Sequence, residues 1–137
     1  MSDVFEGGCL CGRLRYRAEG RPLDAGWCHC RLCQKSSGAP ALAWGTWPAS
    51  AVRYTTGEPR VFKSSTLGRR HFCPDCGTQL LFRVAEDSRT IDLTLASLDR
   101  PDAIVPEYHI WTASRIAWME LADRLPRHAD SGPDTWD

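Results

Sequence analysis

Residues 27–33 read WCHCRLC, and three of these seven residues are cysteines: Cys28, Cys30 and Cys33. Three thiols are an unusual number for one cluster, because a disulfide joins two and a closed structural zinc site uses four. Zinc with three protein ligands keeps its fourth position for water or a substrate. The stretch therefore indicates an open metal site, if the other cysteines of the chain can be accounted for separately.

The other four cysteines lie in two short motifs, each of which could form half of a closed site. Cys9 and Cys11 lie in GGCLCG, and Cys73 and Cys76 lie in FCPDCG. In the second motif, proline and aspartate favour a tight turn, and the glycine that follows lets the chain leave it. Two thiolates on such a turn can bind one zinc ion at about 2.3 Å, so two turns together supply a tetrahedral site.

This pattern predicts that the seven cysteines divide into four and three. The four-cysteine site would be structural and would tie the start of the chain to its middle. The three-cysteine site would be catalytic, with its fourth position open. A second partition, in which residues 28–33 share a metal with one of the other pairs and leave two or three thiols spare, is not excluded by spacing alone.

The composition is that of a single globular domain. The chain has 137 residues, of which 42% are hydrophobic and 25% charged. Seventeen basic residues balance seventeen acidic ones, so we expect no attraction to nucleic acid. We also expect no signal peptide, since the first eight residues have neither a basic start nor an apolar core, and no membrane span.

An odd number of cysteines cannot pair fully within one chain, and this favours metal binding over disulfides. We therefore expect a cytoplasmic protein, because thiols stay reduced in that compartment. Zinc bound by three thiolates carries a net negative charge and suits a soft fourth ligand, such as the sulfur of a small thiol. Coordination removes the proton from that sulfur, and the resulting thiolate could add to an aldehyde.

Several segments resemble the glutathione-dependent formaldehyde-activating enzyme family, which also includes the centromere protein V-like domains. The segments are FEGGCLCGRLRYRAEG, CHCRLCQKSSGAPALAW, PASAVRYTTGEPRVFKSS and RRHFCPDCGTQLLFR. They occur in the order typical of the family and cover most of residues 5–84. A later stretch, PEYHIWTASRIAWMELADRLPRH, resembles the usual C-terminal part of the family, so nearly the whole chain is included.

The resemblance implies a mainly β, Mss4-like, single-domain fold that binds two zinc ions. By motif matching, Cys9, Cys11, Cys73 and Cys76 fall at the structural zinc, and Cys28, Cys30 and Cys33 fall at the catalytic zinc. The implied activity is that of a carbon–sulfur lyase similar to S-(hydroxymethyl)glutathione synthase. Its implied substrates are a small thiol such as glutathione and an aldehyde such as formaldehyde.

The hydrophobic pattern is compatible with a β-rich fold. Leu14, Tyr16 and Ala18 alternate with arginines, which is the period of a half-buried strand. Further predicted strands are ALAWGTW, RVFKSS, TQLLFRV and TIDLTLASL, and the predicted helical turns are RLCQKSSG and PASAV. We predict one domain over residues 1–125 and a flexible tail over residues 126–137, which are polar and rich in turn-forming residues.

Other residues that could serve the site receive mostly structural interpretations. Arg13 and the two arginines that alternate after it are predicted to form a solvated strand face, although they could bind the carboxylates of a peptide thiol. Arg31 and Lys35 adjoin the three-cysteine cluster, where substrate contact and simple surface placement are equally consistent with the sequence. His29 is not expected to be a zinc ligand, and His109 is expected to be a strand residue. The tryptophans are expected to lie in the core.

Two other functions remain open at this point. A zinc-stabilised protein-binding module would use the metal sites for folding alone, and its three-cysteine site would take up no free thiol. A redox switch would lose zinc from residues 28–33 and form a disulfide under oxidant.

Overall fold

Two β-sheets form the framework of the computed structural model, which describes residues 3–133. The smaller sheet is antiparallel and has the strand order β1-β2-β5. The larger sheet has the order β10-β3-β4-β9-β8-β7-β6, in which every neighbouring pair is antiparallel except β10 and β3. The strands are β1 (Val4–Gly8), β2 (Arg15–Glu19), β3 (Asp24–Cys28), β4 (Leu42–Pro48), β5 (Val52–Thr56), β6 (Arg60–Lys63), β7 (Gly68–Phe72), β8 (Gln79–Val84), β9 (Thr90–Thr94) and β10 (His109–Ile110). The mainly β class predicted from the sequence is confirmed.

Helices are short throughout the described part of the chain. The α-helix α1 spans Arg31–Ser37 and ends at Gly38, whose left-handed backbone (φ 72°) suits glycine. Single 3₁₀ turns lie at Ala49–Ala51, Leu95–Ser97, Pro101–Ala103 and Thr112–Ser114. Both predicted helical turns are therefore present. No helix within residues 3–133 has the length and apolar character that a membrane crossing would need.

The main core fills the space beside β2, β4, β8 and β9. Tyr16, Trp47, Leu80 and Leu93 have no exposed side-chain surface, and the alternation predicted for β2 places Leu14, Tyr16 and Ala18 in this core. The Trp47 indole Nε1–H donates to the carbonyl of Gly20 over 2.8 Å, so its one polar atom is satisfied. A second, smaller cluster contains Cys28, Cys33, Trp44, Tyr108 and Ile110 and lies next to the three-cysteine motif.

Residues 126–130 contact the edge of the larger sheet. The backbone N–H of His109 donates to Pro126, and that of His128 donates to the carbonyl of His109, each over 2.8 Å. The N–H of Trp111 donates to Asp130 in the same way. The predicted tail begins within this segment and runs on into residues 134–137, which lie outside the described residues. The limits of the domain and the flexibility of the tail stay predictions.

Candidate functional site

Two turns, one after a strand of the smaller sheet and one after a strand of the larger sheet, bring four cysteine sulfurs together. Cys9 and Cys11 follow β1, while Cys73 and Cys76 follow β7, and their sulfurs all lie within 4.8 Å of one another. Each turn ends at a glycine with a left-handed backbone, Gly12 (φ 82°) and Gly77 (φ 81°). A residue with a Cβ would strain the backbone at either position, so these glycines allow the chain to wrap around a common centre.

The second cluster forms where β3 passes into α1. Cys28 is the last residue of β3, Cys30 precedes the helix, and Cys33 lies in its first turn. The Cys33 backbone N–H donates to the Cys30 sulfur over 3.3 Å, which fixes the entry of the chain into the helix. The three sulfurs lie within 4.8 Å of one another, and the structure thus groups the seven cysteines as four and three.

Distances between the sulfurs fit a tetrahedral metal and not a disulfide. Sulfurs bound at 2.3 Å to one zinc ion would be about 3.8 Å apart. The Cys9–Cys11, Cys11–Cys73 and Cys28–Cys33 sulfur pairs are 3.6, 3.8 and 3.5 Å apart. All seven cysteines are unpaired. Thiolate donors at this spacing suit zinc well, so both donor sets could hold such an ion.

The protonation states of the three thiols in this cluster depend strongly on one another. Hydrogen bonds from the Cys28 and Cys33 thiols lower the pKa of Cys30 to about 2. The hydrogen bond to Cys30 in turn raises the pKa of Cys28 far above that of a free thiol. Three like charges this close repel one another, so one thiolate is favoured and the others keep their protons until a cation joins them.

A cavity of about 430 Å³ opens directly over the three-cysteine cluster. Cys28, Cys30 and Cys33 line it, together with apolar side chains that include Trp44, Phe82 and Trp111. The prediction that the tryptophans lie in the core is confirmed for Trp44 and Trp47, which are buried. It is wrong for Trp111 and Trp118, which are exposed. A ligand in this space would touch the sulfurs directly, and the volume is in the range of small-molecule sites.

Arg70 is a buried cation that the sequence analysis did not single out. Its side chain is 5% exposed, and its Nη2 and Nη1 lie 3.7 and 3.8 Å from the Cys33 sulfur. Nη1 also donates to Gln79 Oε1 over 3.0 Å, and the guanidinium lies 4.9 Å from the centre of the Phe82 ring. A positive charge fixed beside the sulfurs would stabilise their ionised form. One local signal pointed to Arg70: the alternation of side chains in GRRHF places Arg69 and Arg70 on opposite faces of one strand.

His29 lies between two of the cluster cysteines but faces a different set of partners. Its Nε2 is 2.9 Å from His109 Nδ1, and His109 Nε2 is 3.0 Å from the Asp123 carboxylate. In the neutral tautomer of His109 whose Nε2–H donates to this carboxylate, Nδ1 accepts from His29 Nε2–H. Both rings are fully buried. This chain of hydrogen bonds ties the loop of the cluster to the C-terminal segment, and His109 lies in β10.

The remaining arginines and the lysine considered from the sequence lie away from the cavity. Arg13 pairs with Asp75 over 3.4 Å, and the arginines that follow it pair with Asp99 and Glu19. Arg31 donates to Gln34 Oε1 over 2.7 Å on the outer side of α1, and Lys35 is exposed. None of these side chains is among the described residues that line the cavity.

Comparison with known proteins gives consistent matches. A family model described as glutathione-dependent formaldehyde-activating enzyme matches residues 4–114. An uncharacterised lyase of Schizosaccharomyces pombe is 30% identical over 78 residues, which is 57% of this chain and 56% of the yeast protein, so the match spans little more than half of that relative. A Halomonas elongata protein that bears the family name is 23% identical over 130 residues, 88% of this chain and 83% of the relative.

A solved structure supports the fold. The crystal structure of a Rhodobacter sphaeroides protein superposes with a TM-score of 0.59 at 22% identity. The match covers 74% of this chain and 97% of the other. At this level of identity, the likeness speaks for a shared fold.

Proposed function

We propose, since this chain belongs to the glutathione-dependent formaldehyde-activating enzyme family, that it is a zinc-dependent carbon–sulfur lyase. It would join a small thiol reversibly to an aldehyde at Cys28, Cys30 and Cys33. The family name gives glutathione and formaldehyde as one such pair. The observation that carries the proposal is that three sulfurs at tetrahedral spacing form the floor of a cavity large enough for a small molecule.

In this proposal the four-cysteine cluster stabilises the fold, and the three-cysteine cluster carries out the reaction. Cys9, Cys11, Cys73 and Cys76 supply four thiolates, a complete ligand set for structural zinc. Zinc held by the three-cysteine cluster would keep one position for the sulfur of a substrate thiol and would hold that sulfur as the thiolate. We also place the protein in the cytoplasm, because all seven thiols must stay reduced for this arrangement.

In the forward reaction, the substrate thiol loses its proton and its sulfur adds to the carbonyl carbon of the aldehyde. A carbon–sulfur bond forms, the carbon–oxygen π pair moves to oxygen, and the oxygen takes up one proton. The product is an S-hydroxyalkyl adduct, and no oxidant or reductant is needed. The cavity walls would hold the two reactants together and limit the access of water, which favours addition over hydration of the aldehyde.

Arg70 has a positioning role in this proposal. Three thiolates around a divalent cation leave one net negative charge in a buried site, and such a charge needs a partner. The Arg70 guanidinium, which approaches the Cys33 sulfur at 3.7 Å, supplies it. It also fixes the orientation of the Cys33 side chain, since the same guanidinium is anchored on Gln79.

We expect Arg70→Met to weaken zinc binding at the three-cysteine cluster by about tenfold, because loss of a residue that supports a metal ligand typically costs 10–100-fold in affinity. A competition titration with a chromophoric chelator measures this for the weaker of the two zinc ions. Arg69→Met is the matched control, since Arg69 pairs with Glu86 over 2.7 Å on the other face of β7. Equal zinc affinity in both variants would remove Arg70 from the proposal.

Native mass spectrometry of the purified protein tests the proposed function itself. The expected result is two zinc ions per chain, together with uptake of one molecule of a small thiol from a panel of benzyl mercaptan, 2-mercaptoethanol and glutathione. A single zinc ion and no uptake of any of the three thiols would contradict the proposal. That result would favour a protein-binding module in which metal only stabilises the fold.

A further inference from the structure

The walls of the cavity above the three-cysteine cluster are apolar and aromatic. Trp44, Tyr108 and Ile110 are all less than a tenth exposed, yet each contributes surface to the cavity. The rings of Trp44 and Phe82 pack against each other at 6.3 Å between centres and 59° between planes. Aromatic rings packed in this way form rigid walls, and a ligand gains most by presenting an apolar surface to them.

Apolar side chains also continue to the mouth of the cavity. Leu32 and Trp111 line it and remain 47% and 40% exposed, so they lie at its rim. Trp111 has a left-handed backbone (φ 56°), a conformation that a bulky residue rarely adopts and that tends to occur at functional sites. Backbone hydrogen bonds from Trp111 to Asp130 and from Thr112 to His128 hold it there.

Charged groups at the cavity are few and already engaged. Of the described residues that line it, Arg70 and Asp92 carry charges, and these have opposite signs. Arg70 contacts the Cys33 sulfur and Gln79, while Asp92 accepts a hydrogen bond from Thr46 over 2.6 Å. Glutathione carries two carboxylates and an ammonium group, and charges that lose water without gaining partners are strongly disfavoured.

We propose that the thiol taken up by this cavity carries an apolar body, such as an aromatic or branched aliphatic group, and not the charged peptide of glutathione. The sulfur would meet the three cysteines at the floor, and the apolar body would lie against Trp44, Phe82 and Trp111. This inference rests on the proposed thiol–aldehyde chemistry and adds the class of thiol to it.

The test compares three thiols with formaldehyde as the common aldehyde: benzyl mercaptan, 2-mercaptoethanol and glutathione. The rate of adduct formation is measured on the zinc-loaded protein, with the uncatalysed rate of each pair subtracted. Retention of each thiol in native mass spectra gives a readout that does not depend on turnover. We expect the half-saturating concentration of benzyl mercaptan to be at least about tenfold below that of either other thiol, given the apolar area that one ring can bury.

Trp111→Gly tests whether the wall at the mouth creates this preference. Glycine accepts the left-handed backbone, so the variant removes the indole without adding strain. The preference for benzyl mercaptan over 2-mercaptoethanol should fall severalfold. Trp118→Ala is the matched control, because Trp118 is 72% exposed and is not among the described residues that line the cavity. This variant should prefer benzyl mercaptan as strongly as the unaltered protein does.

The outcomes separate this inference from the proposed function. If glutathione is turned over with the lowest half-saturating concentration, the thiol–aldehyde chemistry stands and the apolar-body inference is wrong. If Trp111→Gly keeps the preference for benzyl mercaptan, the Trp111 indole does not create that preference, and this part of the inference is wrong. If none of the three thiols is retained or turned over, the proposed function fails first and the inference fails with it.

Discussion

Cys30→Ser should reduce adduct formation to the uncatalysed rate and lower the zinc content from two ions to one. A serine hydroxyl remains protonated at neutral pH and is a poor ligand for zinc, so two thiolates would remain where three are needed. Cys30 is also the thiol of the cluster that ionises most readily, because hydrogen bonds from Cys28 and Cys33 lower its pKa to about 2.

Zinc counted by native mass spectrometry and adduct formation followed by the disappearance of free thiol measure the two effects. Lys35→Met is the control, because Lys35 lies on the exposed side of the same helix and is not among the residues lining the cavity. It should keep both zinc ions and the full rate. A Cys30→Ser protein that retains two zinc ions and full activity would show that the reaction does not depend on this cluster.

The cysteine pattern carried most of what could be predicted about the site. Thiols separated by one or two residues must lie close together whatever the fold, so the local spacing predicts which cysteines are neighbours. How these groups combine into sites follows from the number of donors that a metal needs. The alternation of Leu14, Tyr16 and Ala18 predicted β2 for an equally local reason, namely that every second side chain faces the core.

The cavity could not be predicted in this way, because contacts between distant segments create it. Arg70 resembles its neighbour Arg69 in sequence, and only the pairing of β7 with β8 and the approach of α1 place it beside Cys33. The strand β10 has two residues and exists because it pairs with β3. That pairing brings Trp111 towards the cluster, so an aromatic residue that the sequence assigns to the core becomes part of the cavity wall.

Cys73→Ser should destabilise the fold, whereas Cys30→Ser should abolish the reaction. Structural zinc in small domains contributes roughly 10–16 kcal/mol of apparent binding energy, and domains of this kind have a total stability of about 5–15 kcal/mol. Cys73 is 1% exposed and packs within the main core, so a serine there loses a ligand and also buries a hydroxyl. We therefore expect the variant to be largely unfolded at 25 °C.

Circular dichroism during thermal unfolding checks this expectation. Where Cys73→Ser yields no folded protein, the unaltered chain with excess chelator provides a related test, because the chelator removes both zinc ions. Its melting temperature should fall by more than about 10 °C, and further than that of Cys30→Ser. Cys30→Ser should melt close to the unaltered protein, because its cluster belongs to the smaller hydrophobic group and not to the main core. Equal melting temperatures for Cys73→Ser and the unaltered protein would contradict a structural role for the four-cysteine cluster. Unfolding of both variants would mean that both clusters stabilise the fold. In that case β3 and β7 would each depend on the metal ion bound at its end.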